Sequence, residues 1–136
     1  AYFASQALKP GCAAIATDVC VPISKLAENL LAAEQKAQQL QLCCPIVGHV
    51  GDGNYHMLIL FDSEDASETE KANQLSSFLV SNALHSGGTC TGEHGIGFGK
   101  KAYLIQEHGA AVELMKTLKC ALDPNLIMNP GKVFDF

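Results

Sequence analysis

The sequence predicts an α+β domain in which two helices pack on one face of a small antiparallel sheet, in the split βαβ manner. Three observations predict it. A period-two apolar segment lies near the N-terminus, and two long segments carry apolar residues at helical spacing. Between those segments lie two short apolar runs separated by Gly51-Asp52-Gly53-Asn54. At 136 residues the chain is one domain's length and should hold one core.

Ile15, Thr17, Val19 and Val21 alternate with smaller or polar neighbours and read as a strand that Pro22 closes. From Ser24 to about Leu42, residues Leu26, Leu30, Ala33, Ala37 and Leu40 recur at three and four, an amphipathic helix with Ser24 as its cap. Pro45 to Val50 and Tyr55 to Phe61 read as paired strands, because Asp-Gly between apolar runs is a strong hairpin signal. Asp62, Glu64, Asp65, Glu68 and Glu70 then load the start of a second helix with negative charge, which suits its positive dipole end. Its core face is Ala72, Leu75, Phe78, Leu79 and Ala83, and Gly87-Gly88 ends it.

Glycines cluster over residues 87–99, too densely for regular structure. A third helix, about Ala110 to Leu122, shows Ala111, Leu114, Met115, Leu118 and Leu122 at helical spacing, with Lys116 and Lys119 toward its carbonyl end and a stop at Asp123-Pro124. The order β-α-β-β-α, glycine loop, α leaves the sheet one strand short. The glycine loop, Lys132-Val133-Phe134 or sequence outside the chain would supply it. A cut sheet edge favours a dimer.

Hydrophobic residues at 48% and charged residues at 17%, without tryptophan, exclude a disordered segment and a large aromatic stacking platform. The longest apolar run, Met57 to Phe61, is far shorter than the ~20 residues of a membrane span, so no transmembrane segment is expected. Net charge is −5, and the nine basic residues are all lysines without a stripe, so nucleic acid is excluded as a partner. With no arginine in the chain, an anionic substrate must be held by lysine, by a metal, or by another segment. Six cysteines without a C-x-x-C pair read as reduced thiols inside a cell. No leader precedes Ala1 and no methionine starts the chain, which suggests a removed targeting segment or a piece of something longer.

Two constellations carry chemistry. In Gly48-His49-Val50-Gly51-Asp52-Gly53-Asn54-Tyr55-His56, a two-residue Asp52-Gly53 loop places His49 directly opposite His56, where two imidazoles can converge on one cation. The plainer alternative is one core-packed and one solvated histidine beside a turn. In Thr89-Cys90-Thr91-Gly92-Glu93-His94-Gly95-Ile96-Gly97-Phe98-Gly99-Lys100, Glu93 can complete a two-histidine, one-carboxylate set, while His94 is free to act as a base. The alternative there is a flexible glycine turn with surface Glu and His. Gly95-x-Gly97-x-Gly99-Lys100 fails as a phosphate loop, since His94 and Lys101 stand where that motif requires glycine and Ser/Thr. His85 reads as a helix-end cation and His108 as a residue at a helix start.

These motifs, with Asp123-Pro124-Asn125 and Met128-Asn129-Pro130-Gly131-Lys132, resemble the C-terminal signature of the FAD-linked oxidases that act on D-2-hydroxy acids. Thr17-Asp18-Val19-Cys20-Val21-Pro22 is most similar to the family's D-lactate dehydrogenase branch, the mitochondrial cytochrome-linked enzymes. The resemblance implies that residues 1–136 are the C-terminal part of a substrate or cap domain, a ferredoxin-like half of an antiparallel-sheet cap, with the FAD-binding domain absent. It further implies a mitochondrial enzyme that oxidises D-lactate to pyruvate with hydride transfer to FAD and passes electrons to an acceptor such as cytochrome c.

By position, His49, His56 and Glu93 resemble ligands of a divalent metal, zinc foremost, with manganese or iron as alternatives. His94 resembles the catalytic base and Asn129 a flavin contact. The other readings are a truncated metal-binding or interaction module without catalysis, and the same portion of a D-2-hydroxyglutarate or glycolate dehydrogenase.

Overall fold

A computed structural model describes residues 2–136. The chain divides into two units, residues 1–93 and 94–136. In the first, α1 (Tyr2–Gln6) precedes β1 (Ala13–Ala16) and β2 (Val19–Cys20), followed by α2 (Ile23–Leu40), β3 (Ile46–His49), β4 (Asn54–Phe61) and α3 (Ala66–His85). All three other strands pair antiparallel with β4, forming the expected α+β sheet. Among the described residues, no helix is long and apolar enough to cross a membrane.

β1 and β2 are one strand with a break. Ala16 pairs with Leu58 and Val19 with Tyr55, so the register carries straight across Thr17 and Asp18. The Thr17 amide still donates to the Met57 carbonyl at 3.1 Å, and the Thr17 hydroxyl accepts from the Met57 amide at 2.9 Å. The predicted single strand is therefore present, interrupted by two buried polar residues. The glycine loop adds only an isolated bridge: the Thr89 amide donates to the Cys20 carbonyl at 2.8 Å. Lys132-Val133-Phe134 forms no strand.

The hairpin differs from expectation. A 3-10 turn, Val50–Asp52, replaces the two-residue loop, and Gly53 follows in the left-handed region at φ 77°. A Cβ at Gly53 would lie 2.0 Å from the Val21 carbonyl oxygen, so only glycine fits there. His49 consequently pairs with Asn54, and His56 with Val47. The offset is two residues, which keeps His49 and His56 on one face of the sheet, because side chains alternate with period two.

α2 and α3 pack on each other, and α3 packs on β4. Leu75, Leu79, Ala72 and Ala83 of α3 are buried, as are Leu26, Ala33 and Ala37 of α2. Between the helices lies one buried amide. Asn29 Nδ2 donates to Ser86 Oγ at 2.9 Å, and Asn29 Oδ1 accepts from Asn82 Nδ2 at 2.8 Å. Ser24 does not cap α2: Pro22 occupies that position, because the preceding strand delivers the chain in an extended conformation that proline fixes. Asp65 caps α3, its carboxylate accepting from the Ser67 and Glu68 amides.

The second unit holds α4 (Lys101–His108) and α5 (Ala111–Leu122). α4 was not foreseen, and it places His108 at a helix end rather than a start. α5 lies where the apolar spacing puts it, but its stripe of Leu114, Leu118 and Leu122 is exposed, and Val112 is its buried residue. Asp123 ends the helix as a buried acceptor for the Ile127 and Met128 amides, and the Lys119 ammonium beside it holds its carboxyl below the usual carboxylate range. The Val133 amide returns to the Gly97 carbonyl at 2.8 Å.

All six cysteines are free thiols. Burial, reinforced by neighbouring Cys43, pushes the Cys44 thiol up to about 12, and burial alone pushes the Tyr55 phenol up to about 12. The unfolded chain, with ordinary values of 9.0 and 10.0, releases these protons first as pH rises. Stability should therefore be level up to about pH 9 and fall above it, with a shallower fall in a Cys44→Ser, Tyr55→Phe variant, read from urea midpoints across the alkaline range. The Tyr55 hydroxyl is buried without a hydrogen-bond partner, so Tyr55→Phe alone at neutral pH should cost less than about 0.5 kcal/mol. Leu75→Ala should cost about 2–5 kcal/mol in the same assay.

Candidate metal centre

Three side chains from three parts of the first unit meet at one end of the sheet. His49 ends β3, His56 is the third residue of β4, and Glu93 lies within the glycine-rich segment, at the end of the first unit. The rings of His49 and His56 stand 6.0 Å apart, nearly perpendicular. Glu93 Oε1 lies 3.0 Å from His56 Nε2 and 3.5 Å from His49 Nε2. Ligand atoms ~2.1 Å from a tetrahedral centre stand about 3.4 Å from one another, so the Glu93 carboxylate oxygen already stands at ligand-like spacing from each imidazole nitrogen. They form one of the clusters able to hold a cation.

The two imidazoles are held differently. His56 is largely buried, and its Nδ1 lies 3.0 Å from the Thr17 carbonyl, to which it donates. That bond assigns the proton to Nδ1 and leaves the Nε2 lone pair facing Glu93 and His49, as metal-binding histidines require. His49 is 60% exposed and gives the site an open side. Beside it lies a concavity of about 280 Å³ lined by Cys20, His49, Asp52, Asn54, Gly92 and Glu93.

Asp18, at the strand break, was not singled out as a site residue, yet it underlies the cluster. It is 3% exposed. Its Oδ2 accepts from Thr91 Oγ1 at 2.8 Å, the Gly92 amide at 2.9 Å and the Glu93 amide at 3.1 Å. Its Oδ1 accepts from Asn54 Nδ2 at 2.9 Å and lies 3.6 Å from His56 Nδ1. Asn54 Oδ1 is buried with no partner. The signal available in the sequence was the pair Thr17-Asp18, two polar residues interrupting an apolar strand.

The profile of the FAD linked oxidases, C-terminal domain, matches residues 1–133. The chain belongs to that family. It is similar to the probable mitochondrial D-lactate dehydrogenase of Danio rerio, 48% identical over 136 residues that cover 99% of this chain and 27% of that protein. The mitochondrial D-lactate dehydrogenase [cytochrome] of Arabidopsis thaliana is 46% identical, with 98% and 24% covered. The glycolate oxidase subunit GlcD of Bacillus subtilis is 38% identical, with 93% and 27% covered. The chain thus spans about a quarter of the length of these relatives.

Membership in an FAD-linked family makes the flavin a question for these residues. Asn129, in the left-handed region at φ 47°, lines a concavity of about 200 Å³ with Met128, Pro130, Gly131 and Lys132. Small-molecule sites are typically ~300–1,000 Å³, so this concavity is too small to enclose a flavin. His94 opens the second unit, directly after Glu93. Gly92 is pressed against the Asp18 cluster: a Cβ there would lie 1.5 Å from Asn54 Nδ2 and 2.7 Å from Asp18 Oδ1. Gly92→Ala should destabilise the chain by about 1–3 kcal/mol in urea denaturation, as an overpacked position does.

Proposed function

We propose that this chain is the metal- and substrate-binding portion of a flavin-dependent D-2-hydroxy acid dehydrogenase that oxidises D-lactate to pyruvate. The observation that carries the reading is the convergence of His49 Nε2, His56 Nε2 and Glu93 Oε1, with His56 Nδ1 tied to the Thr17 carbonyl. Residues 1–136 then form the C-terminal part of a cap domain, and FAD is held mainly by another domain of a longer protein. The names of the Danio and Arabidopsis relatives support D-lactate and a mitochondrial location, and the Arabidopsis name supports a cytochrome as electron acceptor, with cytochrome c as the proposed one. The Bacillus relative supports glycolate as the second reading.

His49, His56 and Glu93 would hold a divalent cation, zinc by the nitrogen-rich donor set, with manganese or iron as alternatives. When bound, the cation supplies Lewis-acid polarisation of a substrate oxygen, and the flavin supplies a hydride acceptor for C2. His94 takes the hydroxyl proton on a ring nitrogen as the C2–H bond breaks and the carbonyl forms. With no arginine in the chain, its own residues offer the substrate carboxylate only lysine, backbone or the cation site. Asn129 gives a polar contact to the flavin. The edge strand β3, exposed over Val47–His49, is where two copies would pair. Sedimentation showing only monomer at all concentrations would remove that dimer.

Metal content per chain, by plasma mass spectrometry, tests the central claim. About one zinc or manganese is expected in the wild type and none in a His49→Ala, His56→Ala variant; a metal-free wild type under metal-replete conditions sinks it. In a flavin-loaded enzyme carrying this chain, His94→Gln should lower kcat about 10²–10⁴-fold with metal content unchanged.

A further inference from the structure

We infer that Asp18 is a positioning residue that sets two of the three ligands, His56 and Glu93, at cation-binding spacing before any cation arrives. The inference rests on the proposed metal site and assigns a role to a residue outside the ligand set. Asp18 is buried, and a carboxylate out of water is costly unless its lone pairs are filled. They are filled by the Asn54 carboxamide, the Thr91 hydroxyl and the consecutive amides of Gly92 and Glu93. Consecutive amides turned onto one anion make a backbone nest.

That nest has a geometric consequence. Both Asp18 oxygens lie within 3.3 Å of the Glu93 amide nitrogen, so the backbone of a ligand residue is pinned while its side chain stays half exposed. The same carboxylate stands 3.6 Å from His56 Nδ1, on the side away from Nε2. Together with the Thr17 carbonyl at 3.0 Å, it fixes the ring's tilt and favours the tautomer that carries the proton on Nδ1. One side chain thus couples a strand residue and a loop residue that lie 37 positions apart in the chain, His56 and Glu93. His49, exposed and outside this network of bonds, is the ligand that closes on a cation last.

Cation affinity, measured by competition with a chromophoric zinc chelator, tests the inference on the whole chain. Asp18→Asn keeps size but turns an NH₂ toward amide donors, so it should weaken zinc binding about 10–100-fold, the usual effect of removing a group that orients ligands. Leu75→Ala, destabilised far from the site, should bind zinc like the wild type, which separates positioning from general loosening. If Asp18→Asn does not fold, Thr91→Val removes one donor to Oδ2 and should still weaken zinc several-fold. Wild-type affinity in whichever variant folds overturns the inference, while loss in His49→Ala, His56→Ala leaves the site reading standing. A wild type that binds no zinc removes the site reading and this inference together.

Discussion

A single carboxylate, Asp18, sits out of water at the break between β1 and β2, and much of the first unit is arranged around satisfying it. Desolvating such a group costs several kcal/mol before its partners are counted. Its partners come from β4 and from the glycine-rich segment, the latter up to 75 residues away in sequence. At Thr17-Asp18, where the strand is interrupted, both side chains are bonded, Thr17 to Met57 and Asp18 to the loop. The loop in turn must carry glycine at 92, where any Cβ would collide with Asn54.

Much of this fold is legible in local pattern, and the exceptions have physical reasons. The helices α2, α3 and α5 follow from apolar residues at three and four, and β4 from the apolar run Met57–Phe61. α4 carries no such signal: Lys101–His108 is short and buries Leu104 alone. The stripe on α5 is a true helix pattern, but spacing says only that three leucines share a face, not what covers it. The hairpin register turned on Gly53. Its left-handed backbone, packed against the Val21 carbonyl, serves equally in a two-residue loop and after a 3-10 turn, and Asp-Gly does not distinguish them.

The proximity of His49 and His56 does not depend on that register, for a reason that is general. Side chains on a strand alternate, so a register displaced by two residues returns each histidine to the same face. His49 and His56 become diagonal rather than direct neighbours, and diagonal partners remain within reach of imidazole rings. A one-residue error would have sent them to opposite faces. Asp18 was harder to read because nothing local marks it as a partner of residues 91–93. Two polar residues inside an apolar strand signal only that something must satisfy them.

The division of the chain bears on how a dehydrogenase could use it. The three proposed ligand residues all lie in the first unit, while His94 and Asn129 lie in the second. The boundary falls between Glu93 and His94, so the proposed ligand and the proposed base are joined by a single peptide bond, their Cα atoms ~3.8 Å apart. Whatever holds the Glu93 backbone therefore limits where the His94 backbone can begin. The Asp18 nest holds that backbone through the Glu93 amide. Gly95 and Gly97, with φ of 76° and 57°, occupy conformations that few other residues adopt and set the backbone path that follows His94.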